Sequence, residues 1–336
     1  MLNMVTLSPK SDQKILLELS GVKKYFPIKG GILKRVQGHV KAVEDVSLQL
    51  YEGESLGVVG ESGCGKSTLG RAILGLEELT EGKVRYKSEE IQDLKRKEKL
   101  KFVKEMQMIF QDPFASLNPR QRIGHALEEV FTMHTNMSAK EKRKSVIDLL
   151  DEVGMKEEHF DKYPHEFSGG QRQRIGIARA IALNPSFIIC DEAVSALDVS
   201  VQAQVLKLLK SLQEKYKLSY LFISHDLGVV RYFCDRVLVM YLGNTVELGT
   251  VQGLFANPIH PYTQALLSAI PRPTVQKNLK RIRLQGDLPN PANPPSGCPF
   301  HTRCPIAQEV CKIDKPVWQE MEPGHFAACH FAGMKI

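Results

Sequence analysis

The stretch GESGCGKST, residues 60–68, constrains the fold of this chain more than any other feature of the sequence. It fits the pattern G-x-x-x-x-G-K-[ST] and follows ESLGVVG, a small and β-branched run that predicts a buried strand. It leads into TLGRAILGL, which has the apolar spacing of a helix. Strand, glycine-rich loop and helix form a phosphate-binding loop, in which backbone N–H groups and the helix N-terminus face the phosphates. We therefore predict a nucleotide site made by Gly60, Glu61, Ser62, Gly63, Cys64, Gly65, Lys66, Ser67 and Thr68.

Two side chains of this loop have a defined chemistry in such a site. The ammonium group of Lys66 is a point charge that would reach the β- and γ-phosphates, and the hydroxyl of Ser67 is a ligand for Mg²⁺. A phosphate-binding loop alone does not distinguish kinases, GTPases, helicases and transporters. The class of protein therefore has to come from the rest of the chain.

A pair of carboxylates ends a second predicted buried strand. The run FIICDE places Asp191 at the end of this strand and Glu192 directly after it. In a nucleotide-hydrolysing site, Asp191 would hold Mg²⁺ through water and Glu192 would polarise an attacking water as a general base. The alternative is that the pair simply marks a strand entering a loop. The phosphate-binding loop upstream favours the catalytic interpretation.

A second candidate anion site opens the helix that precedes this strand. In FSGGQRQR, the hydroxyl of Ser168 and the backbone of Gly169 and Gly170 lie at a predicted helix N-terminus. One nucleotide needs only one phosphate-binding loop, so this second site would serve the nucleotide of another subunit. On spacing alone, an ordinary serine N-cap with a Gly-Gly turn explains the same residues.

The order of the predicted elements indicates an α/β core with a mostly parallel sheet. Buried strands alternate with helices, as parallel sheets with helical crossovers require. Outside the motifs above, the N-terminal half has two predicted strand fragments with a glycine turn in 14–26, a loop at 27–39, an alternating run at 40–50, a solvated helix in 87–105 and two helices in 125–153 that separate near 134–136. The C-terminal half has a predicted amphipathic helix in 201–216, a strand at 220–224 and a hairpin in RVLVMYLGNTVELG. The sequence becomes Pro-rich and irregular after residue 270, so we place a domain boundary near 255–275.

Size and composition fit a globular protein. The chain has 336 residues, of which 43% are hydrophobic and 25% charged, and these values exclude global disorder and a collagenous repeat. No run approaches the roughly 20 apolar residues of a membrane-spanning helix, and the N-terminal residues lack a secretory signal. We therefore expect a cytosolic protein, soluble or peripheral to a membrane. The mild net charge of +7 is compatible with nucleic acid, an anionic membrane surface or a phosphorylated ligand.

Six motifs in order resemble the nucleotide-binding subunit of ATP-binding cassette (ABC) transporters. GESGCGKST resembles the Walker A motif, SGGQ the family signature and IICDE the Walker B motif. Gln111 in MIFQDP resembles the Q-loop, SALD the D-loop and His225 in FISHD the switch histidine. The resemblance covers about residues 14–255. It implies an α/β P-loop ATPase with a helical subdomain at about 112–175.

The resemblance also implies an arrangement of two subunits. In this family two such domains dimerise head-to-tail, and ATP lies between the Walker A motif of one and the signature of the other. Ser168, Gly169, Gly170 and Gln171 would then contact the partner's ATP, and Asp198 of the D-loop would help to join the two sites. This arrangement would account for the second anion site.

For the chemistry, the resemblance implies an active ATPase that uses ATP and Mg²⁺. Glu192 would activate water, His225 would contact the γ-phosphate and Tyr25 would stack on adenine. The implied ligands of Mg²⁺ or its water are Ser67, Gln111 and Asp191. The chain differs from the commonest family pattern in having Phe167 in place of leucine before the signature and Ala193 in place of proline after Walker B. Neither position supplies a catalytic group.

Four segments narrow the resemblance to the ATP-binding subunits of bacterial oligopeptide and dipeptide importers, of the OppF-like kind. These segments are KKYFPIKGG, QDPFASLNPR, VSALDVSVQAQV and NPIHPYTQALLSAIP. The implied partners are an OppD-like ATPase subunit in a heterodimer, two membrane permease subunits and an extracytoplasmic solute-binding protein, with no nucleic acid. The chain would lie at the cytoplasmic face of the membrane, and QDPFASLNPR would receive a coupling helix of the permease.

Two other functions remain open at this stage. The same ATPase could serve an importer for nickel or another solute, because substrate choice belongs to the permeases and the solute-binding protein. A soluble ABC ATPase acting on DNA or ribosomes is disfavoured. Such proteins usually have two cassettes in tandem or a long coiled-coil insertion, and this chain has one cassette and a short helical insertion.

The last 39 positions contain four of the seven cysteines of the chain: Cys298, Cys304, Cys311 and Cys329. Disulfides are disfavoured in a reducing cytosol, and four thiolates in a Pro-rich segment can hold Zn²⁺ or a [4Fe–4S] cluster. The spacing matches neither a zinc ribbon nor a ferredoxin, and His301, His325 and His330 are further candidate ligands. The C-terminal module of peptide-importer ATPases resembles this segment and carries an iron–sulfur cluster in some members. We therefore expect residues 256–336 to form a small irregular module with a cluster, with zinc or free structural thiols as alternatives.

Overall fold

The structure, a computed structural model, describes residues 13–30, 34–92, 94, 96–112, 116–270 and 282–336. Parts of several sequence features therefore lie outside the described residues. They are the N-terminal segment 1–12, residues 31–33 of the predicted loop, residues 93 and 95 of the predicted helix in 87–105, residues 113–115 of the expected permease-binding loop, and residues 271–281 of the Pro-rich stretch.

Strands and helices alternate along most of the described chain, as the sequence predicts. The strands are β1 (Ile15–Gly30), β2 (Arg35–Tyr51), β3 (Ser55–Val59), β4 (Glu81–Tyr86), β5 (Glu89–Glu90), β6 (Met106–Ile109), β7 (Phe187–Asp191), β8 (Ser219–Ser224), β9 (Arg236–Tyr241), β10 (Asn244–Thr250), β11 (Gln319–Glu322) and β12 (His325–Ala327). The helices are α1 (Lys66–Ile73), α2 (Arg96–Glu105), α3 (Ile123–His134), α4 (Ala139–Glu152), α5 (Gly169–Ile181), α6 (Val199–Tyr216), α7 (Leu227–Phe233), α8 (Val251–Ala256), α9 (Pro261–Ser268) and α10 (Glu309–Ile313).

The chain divides into two compact units. Unit 1 consists of residues 1–93 and 224–336, and unit 2 consists of residues 94–223. Unit 1 contains the Walker A loop, Tyr25, His225 and the cysteine-rich segment. Unit 2 contains the Q-loop glutamine, the Walker B carboxylates, the signature and the D-loop.

In unit 1 an antiparallel sheet forms from the N-terminal strands in the order β2-β1-β4-β5. Along β2, Val46, Leu48 and Leu50 are buried and alternate with less buried residues, which is the period of a strand with one face on a core. The prediction of two strand fragments followed by a loop at 27–39 is wrong here. Strand β1 continues to Gly30 and pairs with β2, with Ile28 opposite Gly38. Gly21 has φ 58° and lies in a bulge between Leu19 and Val22, so the turn that glycine predicted is a bulge within one strand.

A second set of strands in unit 1 positions the Walker A loop. Strand β3, which leads into the loop, is fully buried and pairs in parallel with β9. Strands β9 and β10 form the predicted hairpin. Strand β12 pairs with β10 and with β11. The segment after residue 282 is therefore less irregular than the sequence predicts, because its two strands and the short helix α10 give it regular structure and β12 extends the sheet of β9 and β10.

Unit 2 is built on three parallel strands in the order β8-β7-β6. All residues of β7 and β8 are buried, which fits their continuous apolar sequences. The two helices predicted in 125–153 are confirmed as α3 and α4, and Ser138 caps α4 at the predicted break. The helix predicted in 87–105 is shorter than expected. Strand β5 and its turn occupy the first residues, and α2 begins at Arg96.

In the part of the chain that the structure describes, no helix combines the length and the apolar character that crossing a bilayer requires.

Candidate active site

At two positions of the Walker A loop in unit 1, the backbone conformation and the close neighbours require glycine. Gly60 has φ 155° and Gly65 has φ 100°. A Cβ atom at Gly60 would lie 2.2 Å from the carbonyl oxygen of Met240, and one at Gly65 would lie 1.9 Å from that of Ala42. These contacts are with backbone, which cannot move aside cheaply. The two glycines therefore allow the loop to pack closely against its neighbours before α1 begins at Lys66.

The side chain of Lys66 lies inside the loop that it follows. Its exposed fraction is 4%, and Nζ donates hydrogen bonds to the carbonyl oxygens of Gly60 at 2.8 Å and Glu61 at 2.9 Å. The thiol of Cys64 is buried beside it, and burial raises the pKa of this thiol. Lys66 is thus a desolvated, preorganised cation at the position where the sequence predicts a phosphate.

Tyr25 lies on β1 with a half-buried ring. Its hydroxyl donates to Oε1 of Glu44 at 2.7 Å, and burial together with this carboxylate raises its pKa. The ammonium nitrogen of Lys41 lies 5.5 Å from the ring centroid. The hydroxyl and the position of the ring are therefore fixed, as a stacking platform for a base would require.

In unit 2 the Walker B strand β7 ends at Asp191, which is 1% exposed, and Glu192 follows it. Glu192 has φ 46°, a left-handed conformation that is strained for a residue with a side chain. Its N–H donates to the carbonyl of Ile223 at 3.0 Å, and its own carbonyl accepts from the N–H of Ser195 at 3.1 Å. The fold therefore holds the backbone of Glu192 in a strained geometry, which is a common property of active-site residues.

The structure brings Gln111 and Glu192 together. Nε2 of Gln111 donates to Oε2 of Glu192 at 3.0 Å, although the two residues are far apart in sequence. The amide of Gln111 thus orients the carboxylate that the sequence predicts as the general base. Hydroxyl, amide and carboxylate oxygens are the hard donors that Mg²⁺ prefers, so the chemistry of Ser67, Gln111 and Asp191 fits this ion.

His225 is exposed in unit 1 at the junction between β8 and α7. The next residue, Asp226, caps α7, because Oδ1 accepts from the N–H groups of Gly228 at 2.7 Å and Val229 at 3.3 Å. The N–H of Asp226 donates to Oγ of Ser224 at 3.0 Å. The nucleotide motifs give Asp226 no role, although an aspartate before an apolar helical run is an N-cap signal. These contacts fix the backbone on both sides of His225.

The signature residues of unit 2 form a helix cap. Ser168 is the N-cap of α5, its Oγ accepts from the N–H of Gln171 at 3.3 Å, and Oε1 of Gln171 accepts from the N–H of Ser168 at 3.0 Å. A Cβ atom at Gly170 would lie 2.4 Å from Cγ1 of Val201 on α6. Ser168 and Gly169 are exposed. The ordinary capping role is thus present in the structure, on a surface that remains open to a ligand.

Asp198 of the D-loop is exposed at the start of α6. It is the N-cap residue, but its side chain makes no capping hydrogen bond, and its carbonyl accepts from the N–H of Gln202 at 2.8 Å. The helix therefore does not use the carboxylate of Asp198 for its own cap.

The four cysteines of the C-terminal segment carry free thiols. Burial raises the pKa of Cys298 to about 12 and that of Cys329 to about 11, and neighbouring thiols add to both effects. Within the described ranges, no group of three or more His, Cys, Asp or Glu side chains has the geometry of a metal site. The side chains as they stand do not fit the predicted [4Fe–4S] cluster or zinc ion.

The three histidines that the sequence offered as additional ligands have other partners. A ring nitrogen of His301 lies 2.9 Å from the carbonyl oxygen of Cys298, one of His325 lies 2.7 Å from Oε1 of Glu247, and one of His330 lies 2.9 Å from the carbonyl oxygen of Asp314. Each histidine therefore serves a local contact in the fold of unit 1.

One contact to the Walker A loop has no signal in the local sequence. Arg303, in the cysteine-rich segment, forms an ion pair with Glu61 of the loop. The two residues are 242 positions apart, so neither motif nor periodicity indicates the pair.

Two family descriptions match this chain. Residues 43–195 match the family described as ABC transporter, and residues 246–311 match the one described as oligopeptide/dipeptide transporter, C-terminal region. The oligopeptide transport ATP-binding protein AppF of Bacillus subtilis strain 168 is 54% identical over 95% of this chain and 98% of its own length. The chain belongs to the ATP-binding subunits of oligopeptide/dipeptide ABC transporters.

Two further relatives and one solved ABC cassette support this family assignment. The dipeptide transport ATP-binding protein DppF of Haemophilus influenzae is 50% identical over 94% of this chain and 96% of its own length. The oligopeptide transport ATP-binding protein OppF of Escherichia coli K12 is 54% identical over 91% and 93%. A dimeric structure of the ATP-binding cassette MJ0796 with ADP and Pi matches with a TM-score of 0.63 and 30% identity, over 70% of this chain and 99% of that one. The ABC ATPase is therefore an ATP-hydrolysing subunit with the P-loop α/β fold of this family.

Proposed function

We propose that this ABC ATPase energises the uptake of oligopeptides or dipeptides through a membrane complex. The single observation that carries the proposal is the near full-length identity of about half the residues to the peptide transport ATP-binding proteins, which extends through the C-terminal region. ATP binding and hydrolysis would occur at the Walker A and Walker B residues. The chain would act at the cytoplasmic face of the membrane.

For nucleotide binding, the proposed roles follow from the two preorganised groups of unit 1. Lys66 would exchange its two carbonyl partners for the β- and γ-phosphates, with the backbone of residues 60–68 around them. Tyr25 would stack on adenine with the ring that Glu44 and Lys41 hold in place. Both groups lose little freedom on binding because the fold already fixes them.

For hydrolysis, Glu192 is the proposed general base, and Gln111 orients its carboxylate. Ser67, Gln111 and Asp191 would hold Mg²⁺, which when bound neutralises charge on the phosphates. The exposed imidazole of His225, on a backbone fixed by Asp226, would contact the γ-phosphate.

The signature and the D-loop would complete the ATP site of a second subunit. Ser168, Gly169, Gly170 and Gln171 are proposed to contact the ATP held by an OppD-like partner, and Asp198 to join the two sites. The exposure of Ser168 and Gly169 supports this proposal. Two permease subunits and an extracytoplasmic solute-binding protein would complete the importer.

The proposed mechanism needs no metal cluster, because ATP hydrolysis is assigned to the Walker residues and the cysteine side chains do not form a ligand set in the described structure. Analysis of iron and zinc in the full chain, purified without oxygen, tests whether the cysteines hold a metal. Stoichiometric iron together with absorbance at about 400 nm would restore the cluster.

The test of the function is ATP hydrolysis by the reconstituted complex of this chain, its partner ATPase, the permeases and the solute-binding protein. Peptides that the binding protein captures should stimulate hydrolysis, and nickel or sugars should not. Stimulation by nickel or a sugar without stimulation by peptides would contradict the peptide proposal and support the importer for another solute. A matched complex with Glu192→Gln controls for contaminating ATPases.

A further inference from the structure

Arg303 and Glu61 form a bidentate ion pair in unit 1. Nη1 of Arg303 donates to Oε2 of Glu61 at 2.6 Å, and Nη2 donates to Oε1 at 3.0 Å. The exposed fractions of the two side chains are 8% and 30%. Bidentate arginine–carboxylate pairs fix geometry as well as charge, and a pair with this burial is weakly screened by solvent. The hydrogen bonds to Glu61 raise the pKa of Arg303.

The backbone of Glu61 is held as well. Its N–H donates to the hydroxyl of Tyr262 on α9 at 2.9 Å, and its carbonyl accepts from Nζ of Lys66 at 2.9 Å. Residue 61 thus has anchors on its carboxylate, its N–H and its carbonyl. Two of the three anchors, Arg303 and Tyr262, lie beyond residue 255 and so outside the segment with the nucleotide motifs.

The residues that hold Glu61 are themselves fixed by an aromatic cluster. The ring of Phe300 lies 5.2 Å from that of Tyr241 and 5.4 Å from that of Tyr262 between centroids. The guanidinium carbon of Arg303 lies 5.9 Å from the ring centroid of Tyr241. The backbone N–H of Arg303 donates to the carbonyl oxygen of Phe300 at 3.0 Å. Because these aromatic rings are fully buried, the cluster presents Arg303 to the loop with little freedom.

We propose that Arg303 is a positioning residue for ATP binding: it clamps Glu61, and the C-terminal segment thereby sets the affinity of the Walker A loop for nucleotide. The inference rests on the assignment of this loop as the ATP site. Arg303 acts through Glu61 and need not contact ATP. Nζ of Lys66 donates to the carbonyl oxygen of Glu61. A shift of residue 61 would therefore also move the ammonium group that is proposed to contact the phosphates.

The expected effect follows from the population of the binding-competent loop. Without the clamp the loop samples additional conformations, and the apparent Kd rises by the inverse of the competent fraction. We expect Arg303→Gln and Glu61→Gln each to weaken ATP binding about 5- to 10-fold, which corresponds to a competent fraction of about 10–20%. Arg303→Lys should lie between wild type and Arg303→Gln, because lysine keeps the charge but not the fork.

The experiment measures the Kd of Mg·ATP by calorimetry on the full-length chain, with all variants in a Glu192→Gln background that prevents turnover. The matched control is Lys312→Gln, which removes the exposed ion pair with Glu309 from the same C-terminal segment and should not change the Kd. Thermal midpoints without nucleotide report the purely structural part of each effect.

The double variant Glu61→Gln/Arg303→Gln decides whether the two residues act as one unit. If Arg303 acts through Glu61, the double variant should bind ATP no more weakly than the weaker single variant. An unchanged Kd in Arg303→Gln, with or without a lower thermal midpoint, would overturn the proposal, and so would additive losses in the double variant. Failure of the parent chain to bind ATP would be a different result, since it would remove the nucleotide site itself and this inference with it.

Discussion

The two candidate phosphate-binding regions of this ABC ATPase are built in different ways. In the Walker A loop, glycines with positive φ bring the backbone into close contact with its neighbours, and Lys66 is 4% exposed and already bonded to the loop. The signature is an exposed capping box at Ser168, with the same reciprocal hydrogen bonds that Ser138 makes at the start of α4. In the proposed function the first region binds ATP with residues of one chain, and the second contacts ATP that another subunit holds.

The carboxylate of Glu192, the proposed general base, gives the largest expected effect and tests whether hydrolysis depends on the Walker residues. Glu192→Gln should lower kcat for ATP by about 10²- to 10³-fold, since only the proton-accepting group is lost. ATP binding should remain, because the amide oxygen can still accept from Gln111. Single-turnover hydrolysis in a complex with an inactive partner site measures the effect. Turnover like that of the wild type would contradict the role of Glu192.

Lys66→Ala tests the preorganised cation directly. The variant should weaken ATP binding by about 10- to 100-fold, because charge-assisted hydrogen bonds to phosphate are lost. Equilibrium binding to the full chain measures it, and Lys83→Ala on the exposed surface of β4 is a matched control. If both variants bind ATP with the affinity of the wild type, the cation inside the loop has no part in binding.

Low pH should destabilise the part of unit 1 that contains helix α9, whose Tyr262 accepts a hydrogen bond from the N–H of Glu61 in the Walker A loop. His260 is buried and caps α9, which carries Tyr262, and burial lowers the pKa of His260 to about 4 against an opposing effect of Glu247. The unfolded chain binds a proton at this residue below its ordinary pKa of about 6.5, whereas the folded chain does so only near pH 4. Stability should therefore fall as the pH drops through this window, by about 2 kcal/mol between about pH 7 and pH 5.

The variant His260→Asn isolates this contribution, because asparagine can cap the helix but does not titrate in the window. The fluorescence of Trp318, the only tryptophan in the sequence, reports unfolding of unit 1 in urea. The wild type should lose about 2 kcal/mol more than the variant over the same pH range. Equal losses in both would show that His260 does not titrate with the expected pKa.

The local parts of this structure could be predicted from the sequence. The Walker A loop between a buried strand and a helix, the Walker B strand, and helices α3 and α4 follow from motif and apolar period, which act over a few residues. The bulge at Gly21 within β1 could not, because glycine predicts a turn unless the partner strand is known. The pairing of β12 with β10 depends equally on residues far away in the chain.

The same limit applies to the site. The motifs indicate Glu192, Gln111 and Lys66 as site residues. They do not predict that Gln111 donates a hydrogen bond to Glu192 or that Arg303 forms an ion pair with Glu61. Such contacts depend on the path of the whole chain. The cysteine spacing led to the expectation of a metal site, which the described side chains do not form.

The most direct test of the contrast between the two regions is the ATP affinity of the monomeric full-length chain in two matched cap variants. Ser168→Ala and Ser138→Ala should each cost about 1 kcal/mol of stability, because each removes the same kind of N-cap. Neither should change the Kd for ATP by more than about twofold, since the affinity of one chain depends on Walker A and not on its own signature. A loss of ATP affinity in Ser168→Ala as large as in Lys66→Ala, with none in Ser138→Ala, would place the signature in the ATP site of its own chain and contradict the account.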